Sequence, residues 1–252
     1  MFRFWKGLNR ESSLTASWGT GVSALIFPLR CPFCGVQVSG GQKPGWCPEC
    51  REGIRWLTAP CCSLCGHPYP QGGGDHLCER CLREPPYFDR ARSLVVYQGP
   101  VARAIQRFKY QKDFLLTASL ARLAEHYPWE KEWFDVLIPV PLHLKRLRER
   151  GFNQVVLLSR ACRDLPSKKL KPRALRRIRP TASQIHLTPA ERLKNVAGAF
   201  QVSRPGEVAG KEIMLIDDVY TTGATVNECA RTLKKAGAER VTVFTLARVV
   251  PA

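Results

Sequence analysis

The stretch "LIDDVYTTGAT", residues 215–225, places two adjacent carboxylates, Asp217 and Asp218, between an apolar run and a short segment of threonine and glycine. The apolar, β-branched run at 212–219 predicts a β-strand, and "TVNECARTLKKAG", residues 225–237, predicts an amphipathic helix. Thr225 with Glu228 three residues later fits a capping box, and Gly237 fits a helix stop. The stretch is therefore predicted to be a strand, a tight loop and a helix N-terminus.

Short apolar runs alternate with amphipathic stretches through the rest of the C-terminal half. The pattern predicts strands at 93–97, 134–140 and 240–249, helices at 101–110 and 115–127, and a loop followed by a helix within 144–162. This alternation predicts an α/β fold with a parallel sheet. Because such sheets bind ligands at the carboxyl ends of their strands, we expect a site at residues 221–225, named here the threonine loop.

The composition of the threonine loop indicates what it could bind. Free backbone N–H groups, hydroxyls and the helix dipole would converge there on a phosphate, and Gly223 lets the backbone come close. The sequence matches neither the phosphate-loop nor the dinucleotide pattern. A phosphate site gains nothing from nearby carboxylates, so we expect the ligand to carry vicinal hydroxyls beside its phosphate, as a ribose 5-phosphate does. A solvated Asp-Asp turn would leave the loop and cap unexplained.

The cysteines follow one spacing used twice. Nine of the eleven lie between residues 31 and 81, and eight of them form two Cys-x2-Cys-x12-Cys-x2-Cys patterns offset by 31 residues. Such pairs of turns bring four thiolates to one tetrahedral ion, which predicts two closed, structural Zn²⁺ sites. The predicted ligands are Cys31, Cys34, Cys47 and Cys50, then Cys62, Cys65, Cys78 and Cys81.

Other interpretations of the cysteines are disfavoured but stay open. Disulfides are disfavoured because we expect a cytosolic protein, where thiols stay reduced. A redox role is disfavoured because the chain has four such cysteine pairs. Sequence alone does not exclude a cross-braced arrangement, in which the first and third cysteine turns share one metal ion. It also leaves open whether Cys61 or Cys62 is the first ligand of the second site. His67 and His76 are expected to be bystanders.

The charge and the apolar runs restrict the partners. A formal net charge of +18 favours an anionic partner such as nucleic acid or phosphates. Residues 144–179, named here the basic segment, hold thirteen Lys or Arg and two acids. This surplus suits a polyanion backbone, although it is also what the surface of a basic protein contains. No run reaches the ~20 apolar residues of a membrane span, and no secretory pattern is present, so we expect a cytoplasmic protein without membrane insertion.

"IMLIDDVYTTGAT" resembles the motif with which type I phosphoribosyltransferases bind 5-phosphoribosyl-1-pyrophosphate (PRPP). With the two cysteine patterns, the chain also resembles the ComF family of competence-related proteins over roughly residues 31–249. That resemblance rests on "KY" (109–110), "PVPLHLKRLRERGFNQ" (139–154), "LRR" (175–177), Gln184, Arg192, Asn195 and "AF" (199–200). It implies an N-terminal extension at 1–30, a double zinc ribbon at 31–84 and a phosphoribosyltransferase-like domain at 88–252. The stretch "LREPPYFDRAR", residues 82–92, is predicted to be the linker, because Pro85 and Pro86 stiffen it and the cysteines end before it.

The resemblance also implies roles for individual residues. Asp217 and Asp218 would hold the ribose hydroxyls, and Arg150 would act on the leaving pyrophosphate. Lys145 and Arg146 would bind the pyrophosphate from a loop that follows the strand at 134–140, with Mg²⁺ held mostly by ligand oxygens. The remaining ligand contacts would come from Val219, Tyr220, Thr221, Thr222, Gly223, Ala224 and Thr225. A mobile hood over the reacting centre would contain Arg177, Gln184, Arg192 and Asn195.

The function expected from this resemblance is PRPP and Mg²⁺ binding in a protein of DNA uptake during natural transformation. Single-stranded DNA and the DNA-uptake machinery are the expected partners. The alternative is an active phosphoribosyltransferase of nucleotide metabolism with an unknown acceptor. An amidotransferase is disfavoured, because an N-terminal catalytic cysteine and a glutaminase domain are lacking.

Overall fold

The computed structural model describes residues 30–38, 45–69, 73–180 and 189–250, without the side chains of residues 189, 190, 192 and 193. Its strands are β1 Arg90–Val96, β2 Val136–Pro139, β3 Leu175–Arg177, β4 Phe200–Val202, β5 Glu212–Tyr220 and β6 Arg240–Arg248. Its helices are α1 Pro48–Glu52, α2 Glu79–Arg83, α3 Gly99–Tyr110, α4 Leu116–Ala124, α5 Leu144–Arg150, α6 Gln154–Ala161, α7 Pro189–Val196 and α8 Ala224–Lys235. Within these ranges no helix has both the length and the apolar character that crossing a membrane requires.

Four strands form one parallel sheet in the order β1-β6-β5-β2. β5 lies inside the sheet, with Ile213 opposite Val136 on one side and Val241 on the other. The predicted parallel α/β sheet is confirmed, with strand ends that differ from the prediction by a few residues. Since all four strands run the same way, their carboxyl ends meet at one edge of the sheet.

Each face of the sheet is covered by its own core. On one face, Met214, Ile216 and Phe244 pack with α3, α4 and α6, and we name this the first core. On the other face, Leu215 and Val243 pack with α8 in the second core. A parallel strand that is buried on both faces is apolar throughout, which explains why β5 was readable from the sequence.

The two cysteine-rich units belong to different cores. Phe33 and Cys50 of the first unit lie in the first core beside α3, whereas Cys62 and Cys81 of the second unit lie in the second core. Between the units, residues 55–57 run along the open edge of β1. There the N–H of Leu57 donates to the carbonyl of Leu94 at 3.0 Å, and the N–H of Val96 donates to Arg55 at 2.8 Å. The cysteine units thus also cover an exposed sheet edge.

Residues 144–150 form helix α5, so the loop predicted at the start of 144–162 is wrong over these residues, and the chain leaves the helical conformation only at 151–153. The helix buries none of its residues, and His143 Nδ1 caps it by accepting the N–H of Lys145 at 3.2 Å. A short helix without a buried face has no apolar periodicity, which is why the pattern did not reveal it. Gly151 ends α5, and Asn153 caps the predicted helix α6.

The antiparallel pair of β3 and β4, each three residues long, was not predicted. β3 lies beside the start of α5, since Arg177 pairs with His143 in an isolated parallel bridge. β1 also begins at Arg90, within the stretch predicted as a linker.

Helix α8 begins at Ala224 with Gly223 as its cap, so the predicted capping box of Thr225 and Glu228 is wrong. The Glu228 carboxylate instead accepts the N–H of Gly198 at 2.7 Å and pairs with Arg231. The predicted stop is confirmed, because the N–H of Ala238, which follows Gly237, donates to the carbonyl of Leu233 at 3.1 Å.

Candidate functional site

A cavity of about 270 Å³ opens at the carboxyl edge of the parallel sheet. The ends of β1, β2 and β5 form its base, α3, α5 and α6 supply basic and polar side chains, and the threonine loop closes another side. Its lining residues are Tyr97, Lys109, Tyr110, Val140, Pro141, Leu142, Arg146, Arg150, Gln154, Arg177, Asp217, Asp218, Val219, Thr221, Gly223, Thr225 and Val226. The cavity therefore lies where the sequence predicted a site.

Asp218 is buried and is bonded by two side chains from different helices. Lys109 Nζ lies 2.7 Å from Asp218 Oδ1, and Gln154 Nε2 donates to Oδ2 at 2.7 Å. Arg150 Nη1 in turn donates to Gln154 Oε1 at 2.6 Å. Burial alone would lower the pKa of Lys109, but Asp218 raises it above its ordinary value, so the lysine stays charged. This network fixes α3, α5 and α6 around the end of β5.

Asp217 is in a different environment, because neighbouring residues of a strand point to opposite faces. Its Oδ1 accepts the backbone N–H of Asp218 at 2.9 Å. Burial and the charge of Asp218 raise the pKa of Asp217 to about 7, although Lys109 and Arg177 act in the opposite direction. This carboxyl therefore titrates near neutral pH, and hydrogen-bond donors or a cation brought by a ligand would favour its charged form.

The threonine loop connects β5 to the first turn of α8 and lines one side of the cavity. Thr221, Gly223 and Thr225 line the cavity, and Thr222 Oγ1 accepts the N–H of Ala224 at 3.4 Å. Because α8 begins here, its first turn and the positive end of its dipole lie at the cavity. The loop thus suits a phosphate on electrostatic grounds.

Tyr220 explains why residue 223 is glycine. Gly223 has a φ of 79°, and a Cβ at this position would lie 2.2 Å from Tyr220 Oη. The Tyr220 ring is buried in the second core, and Tyr220 and Thr222 line a separate pocket of about 640 Å³ next to the second cysteine unit. The sequence had indicated only that Gly223 would let a ligand approach.

Guanidinium groups form a basic wall of the cavity. Arg146 and Arg150, four residues apart on α5, line it, and Arg177 of β3 adds a third cation. Burial lowers the pKa of Arg150 and of Arg177, but an arginine remains charged at neutral pH. Lys145 is exposed and lies outside the lining, because the position beside Arg146 points to another face of the helix.

The other predicted site residues are only partly brought together. Val219 lines the cavity, and Ala224 is the buried first residue of α8. Gln184 and the side chain of Arg192 lie outside the described residues. Asn195 lies on α7, where its carbonyl accepts from Arg179 at 3.3 Å, and it does not line the cavity.

Sequence reasoning gave no role to Lys109, Gln154 or Tyr97, all of which line the cavity. Lys109 and Gln154 lie within "KY" and "RERGFNQ", two segments that carry the resemblance, and this was the signal that could have identified them. Their contacts with Asp218 join residues 109 and 64 positions apart in the chain. Local patterns do not report contacts of that range.

The first four predicted zinc ligands, Cys31, Cys34, Cys47 and Cys50, form one cluster, with all four Sγ atoms within 4.8 Å of one another. Cys34 Sγ and Cys47 Sγ lie 3.6 Å apart, close to the roughly 3.8 Å expected across a tetrahedral site with Zn–S bonds of ~2.3 Å. The N–H of Cys47 points at Cys31 Sγ from 3.4 Å, as N–H groups do toward thiolates. This first cluster fits a structural Zn²⁺.

The second cluster consists of Cys62, Cys65, Cys78 and Cys81, again within 4.8 Å. Burial alone would raise the pKa of Cys62, but N–H groups of Cys78 and Cys65 donate to its sulfur and help lower the pKa to about 6. Cys61 lies outside the cluster, where its N–H donates to Asp75 at 2.8 Å. The structure therefore pairs the cysteine turns sequentially, without a cross-brace, and places Cys62 among the ligands.

Two family models match the chain. A double zinc ribbon domain covers residues 22–82, and a phosphoribosyl transferase domain covers residues 172–249. Both agree with the observed order of cysteine clusters followed by a parallel sheet.

Relatives that match nearly the whole chain are named for competence or for DNA utilization. The chain is 32% identical to competence protein F of Haemophilus influenzae over 233 residues, 88% of this chain and 98% of that one. It is 31% identical to the DNA utilization protein YhgH of Escherichia coli over 233 residues, 90% of this chain and 100% of the relative. It is also 32% identical to competence protein ComFC of Bacillus subtilis over 254 residues, 91% of this chain and 98% of the relative. With its double zinc ribbon and phosphoribosyltransferase fold, the chain therefore belongs to the competence protein F and ComFC family.

Proposed function

We propose that this protein binds PRPP together with Mg²⁺ in the cavity at the carboxyl edge of the sheet, and that it does so in the service of DNA uptake. One observation carries the proposal: a carboxylate pair, an anion-binding loop at a helix N-terminus and a basic wall surround one cavity. These three parts match the vicinal hydroxyls, the 5-phosphate and the pyrophosphate of PRPP. A simple phosphate or a free sugar would use only one or two of them.

The ribose would lie over the end of β5. Asp217 has an oxygen available beside the one that accepts the N–H of Asp218, so it is the proposed acceptor for one hydroxyl. Asp218 already accepts one hydrogen bond from Lys109 and one from Gln154, and the remaining lone pairs of its oxygens would accept the other hydroxyl. The ionised carboxylates also favour the positive charge that develops on the ribose if the C1–O bond breaks.

The 5-phosphate would lie in the threonine loop, within reach of Thr221, Gly223 and Thr225. The proposed roles of Val219, Tyr220, Thr222 and Ala224 are to shape this loop through backbone groups, since Tyr220 and Ala224 are buried. This division assigns the hydroxyls and the helix dipole to the phosphate and leaves the carboxylates to the sugar.

The pyrophosphate would meet Arg146 and Arg150, with Lys145 acting from the rim. Mg²⁺, which keeps much of its water, would be held mostly by oxygens of the ligand and not by protein side chains. The residues present fit this assignment, because each oxygen of Asp218 already accepts one bond, from Lys109 or Gln154, and the pair of carboxylates alone is too few ligands for a protein cage around a metal. The cation would offset the negative charge of the leaving group.

The second candidate function is catalytic transfer of the phosphoribosyl group. It is favoured by the position of Arg150, which belongs to the basic wall and is connected to Asp218 by hydrogen bonds through Gln154. In such a reaction the C1–O bond to pyrophosphate breaks with its electron pair on oxygen, and an acceptor nucleophile bonds to C1. A product assay with labelled PRPP against bases, amines and single-stranded DNA tests it. Release of pyrophosphate that depends on one acceptor is expected for an enzyme, and its absence across the panel would leave a binding protein.

We further propose that the basic segment binds single-stranded DNA. Eight of its thirteen basic residues are exposed, and two relatives are named for competence and one for DNA utilization. The exposed cations are Lys145, Arg148, Arg160, Arg163, Lys168, Arg173, Arg176 and Arg179. Zinc-bound thiolates persist best in a reducing compartment, so the proposed location is the cytoplasm, in contact with the DNA-uptake machinery.

A salt series tests the DNA proposal. Reversing Arg173, Arg176 and Arg179 to Glu should weaken single-stranded DNA binding in a gel shift and lower its salt dependence. Reversing Arg51, Arg55 and Arg83, which are exposed cations of the cysteine units, is the matched control. Equal loss in both variants would indicate that net charge alone acts, and the proposed segment would then be wrong.

Isothermal titration of PRPP with Mg²⁺ into the full chain tests the ligand proposal. We expect one molecule bound per chain and loss of most of the affinity in Asp217→Asn, a substitution that keeps the side-chain volume. Ribose 5-phosphate alone should bind more weakly, because it lacks the group that meets the basic wall. No heat with the wild-type protein, or unchanged affinity in Asp217→Asn, would contradict the proposal.

A further inference from the structure

Arg248 connects the second zinc cluster to the candidate site. It ends β6 and is only 5% exposed, yet it carries a charge. Its Nη1 donates to the carbonyl of Cys65 at 2.7 Å, and its Nη2 lies 3.9 Å from Cys65 Sγ. Within the described part of the chain, Arg248 has no carboxylate partner. Four thiolates around one Zn²⁺ would carry a net negative charge, and this charge would balance the guanidinium of Arg248.

The same guanidinium lies on Tyr220, the last residue of β5. The Arg248 Cζ atom is 4.2 Å from the centre of the Tyr220 ring, and the ring is buried. Val249, which follows Arg248, donates its N–H to the carbonyl of Tyr220 at 2.9 Å. Tyr220 is therefore held from its ring and from its backbone by the end of β6.

Tyr220 in turn supports the threonine loop. A Cβ on Gly223 would lie 2.2 Å from Tyr220 Oη and 2.4 Å from Cζ, so the loop backbone rests directly on this ring. The contacts form a short physical chain from Cys65 through Arg248 and Tyr220 to Gly223. Among the described residues, the first cluster makes its contacts on the other face of the sheet, where Phe33 and Cys50 pack in the first core and Arg107 of α3 donates to the carbonyls of Pro32 and Phe33.

We infer that Arg248 is a positioning residue, through which the second zinc site, and not the first, sets the conformation of the threonine loop. With the metal bound, the turn at Cys65 is fixed, Arg248 keeps both of its partners, and the ring of Tyr220 holds the loop ready for an anion. When the metal is lost, the turn relaxes and the loop loses its support. The inference rests on the proposed function only for its effect on affinity, since the effect on the loop is independent of any ligand.

Two zinc-site variants of the full chain test the inference. Cys78→Ser opens the second cluster, and Cys34→Ser opens the first; each is the one cysteine of its cluster that is only partly buried. Backbone hydrogen exchange of residues 221–225, measured without ligand, should accelerate in Cys78→Ser and stay near the wild-type rate in Cys34→Ser. Zinc content, measured in parallel, identifies which site has been emptied. Equal acceleration in both variants would overturn the inference.

Two further variants keep the inference testable if a cysteine variant does not fold. Arg248→Met keeps the length of the side chain but removes both bonds, and Tyr220→Leu removes the ring. Each should retain both zinc ions while the exchange of the loop accelerates, and PRPP affinity should fall by roughly fivefold to a hundredfold. Arg248→Lys should restore part of the loop protection. Unchanged exchange in Arg248→Met would show that the contact has no positioning role.

These readouts separate the inference from the proposed function. If the wild-type chain binds no PRPP while loop exchange responds to Arg248→Met, the coupling stands and the ligand is wrong. If PRPP binds to the wild-type chain but Arg248→Met changes neither the affinity nor the loop exchange, the proposed ligand is supported and the proposed coupling is wrong.

Discussion

At the scale of single residues, the adjacent Asp217 and Asp218 are made different by their partners. Asp218 forms an ion pair with Lys109 and accepts a hydrogen bond from the side-chain amide of Gln154, so its charge is compensated within the protein. Asp217 receives one backbone N–H, and burial beside Asp218 raises its pKa to about 7. The pair thus combines a carboxylate that is paired within the protein with one whose charge depends on ligand and pH.

The raised pKa of Asp217 predicts that PRPP affinity depends on pH. Ribose hydroxyls and Mg²⁺ favour the charged carboxylate, so below about pH 7 the carboxyl must release its proton before it binds. Affinity should therefore fall as the pH drops below 7, by at most about tenfold per pH unit for one proton. Titration calorimetry from pH 5.5 to 8.5 measures this slope.

Asp217→Asn serves as the control for this slope. The ligand phosphates titrate in the same way with both proteins. The contribution of Asp217 is therefore the difference between the pH dependence of PRPP affinity in the wild-type protein and in the variant. Identical slopes in the two proteins would mean that Asp217 is ionised across the whole range.

A double-mutant cycle tests the buried ion pair. Lys109→Met leaves the Asp218 carboxylate buried without its counter-charge, so the free energy of unfolding should fall by about 3 kcal/mol. Asp218→Asn in the same background should recover part of that loss, because it removes the uncompensated charge. Urea unfolding measures all four proteins, and additive losses would indicate that Lys109 and Asp218 do not interact.

At the scale of elements, the site depends on the junction between β5 and α8. The strand is apolar and buried from Ile213 to Ile216 before it reaches the two aspartates, and the helix begins directly after a glycine with a positive φ. The N–H groups of the first turn are thereby aimed at the cavity without a side-chain cap. Such a junction places the positive end of a helix dipole at the cavity, where it favours an anion.

Gly223→Ala tests how tightly this junction is packed. Gly210 also has a positive φ, of 66°, but a Cβ there meets nothing within 4 Å, so Gly210→Ala should cost about 1 kcal/mol of backbone strain. Gly223→Ala should cost roughly 2–4 kcal/mol, because the new methyl overlaps the buried Tyr220 ring. Thermal and urea unfolding compare the two, and equal costs would show that the ring moves aside freely.

At the scale of the whole molecule, the cysteine units are built into the two cores of the sheet. The turn after Cys62 lies on β1, where the N–H of Ala91 donates to the carbonyl of Leu64 at 2.7 Å. On the other face, Arg107 of α3 donates to the carbonyls of Pro32 and Phe33. Zinc loss should therefore weaken the sheet domain as well as the ribbons.

The equivalent glycines of the two ribbons test this docking. A Cβ on Gly66 would lie 2.6 Å from the carbonyl oxygen of Ala91, whereas a Cβ on Gly35 meets nothing within 4 Å. Both have a positive φ, so the strain is matched, and Gly66→Ala should be less stable than Gly35→Ala by about 1–3 kcal/mol. Equal unfolding free energies would indicate that the second ribbon is loosely attached.

Much of this architecture could be predicted from local pattern. β5 and β6 are continuous apolar runs, the cysteine spacing repeats, and the threonine loop follows directly from its residues. Helix α5 could not be predicted because it buries nothing, and the strands β3 and β4 are too short for a periodicity. The contacts of Asp218 with Lys109 and of Arg248 with Cys65 depend on tertiary packing across 109 and 183 residues, which spacing and composition do not encode.

The most direct test of the central claim is the crystal structure of the full chain with PRPP and Mg²⁺. We predict the 5-phosphate within hydrogen-bond distance of the backbone N–H groups at residues 221–225, the ribose hydroxyls on Asp217 and Asp218, and the pyrophosphate against Arg146 and Arg150. Density for the ligand elsewhere, or a sugar and phosphate bound in the reverse direction across the cavity, would contradict the account.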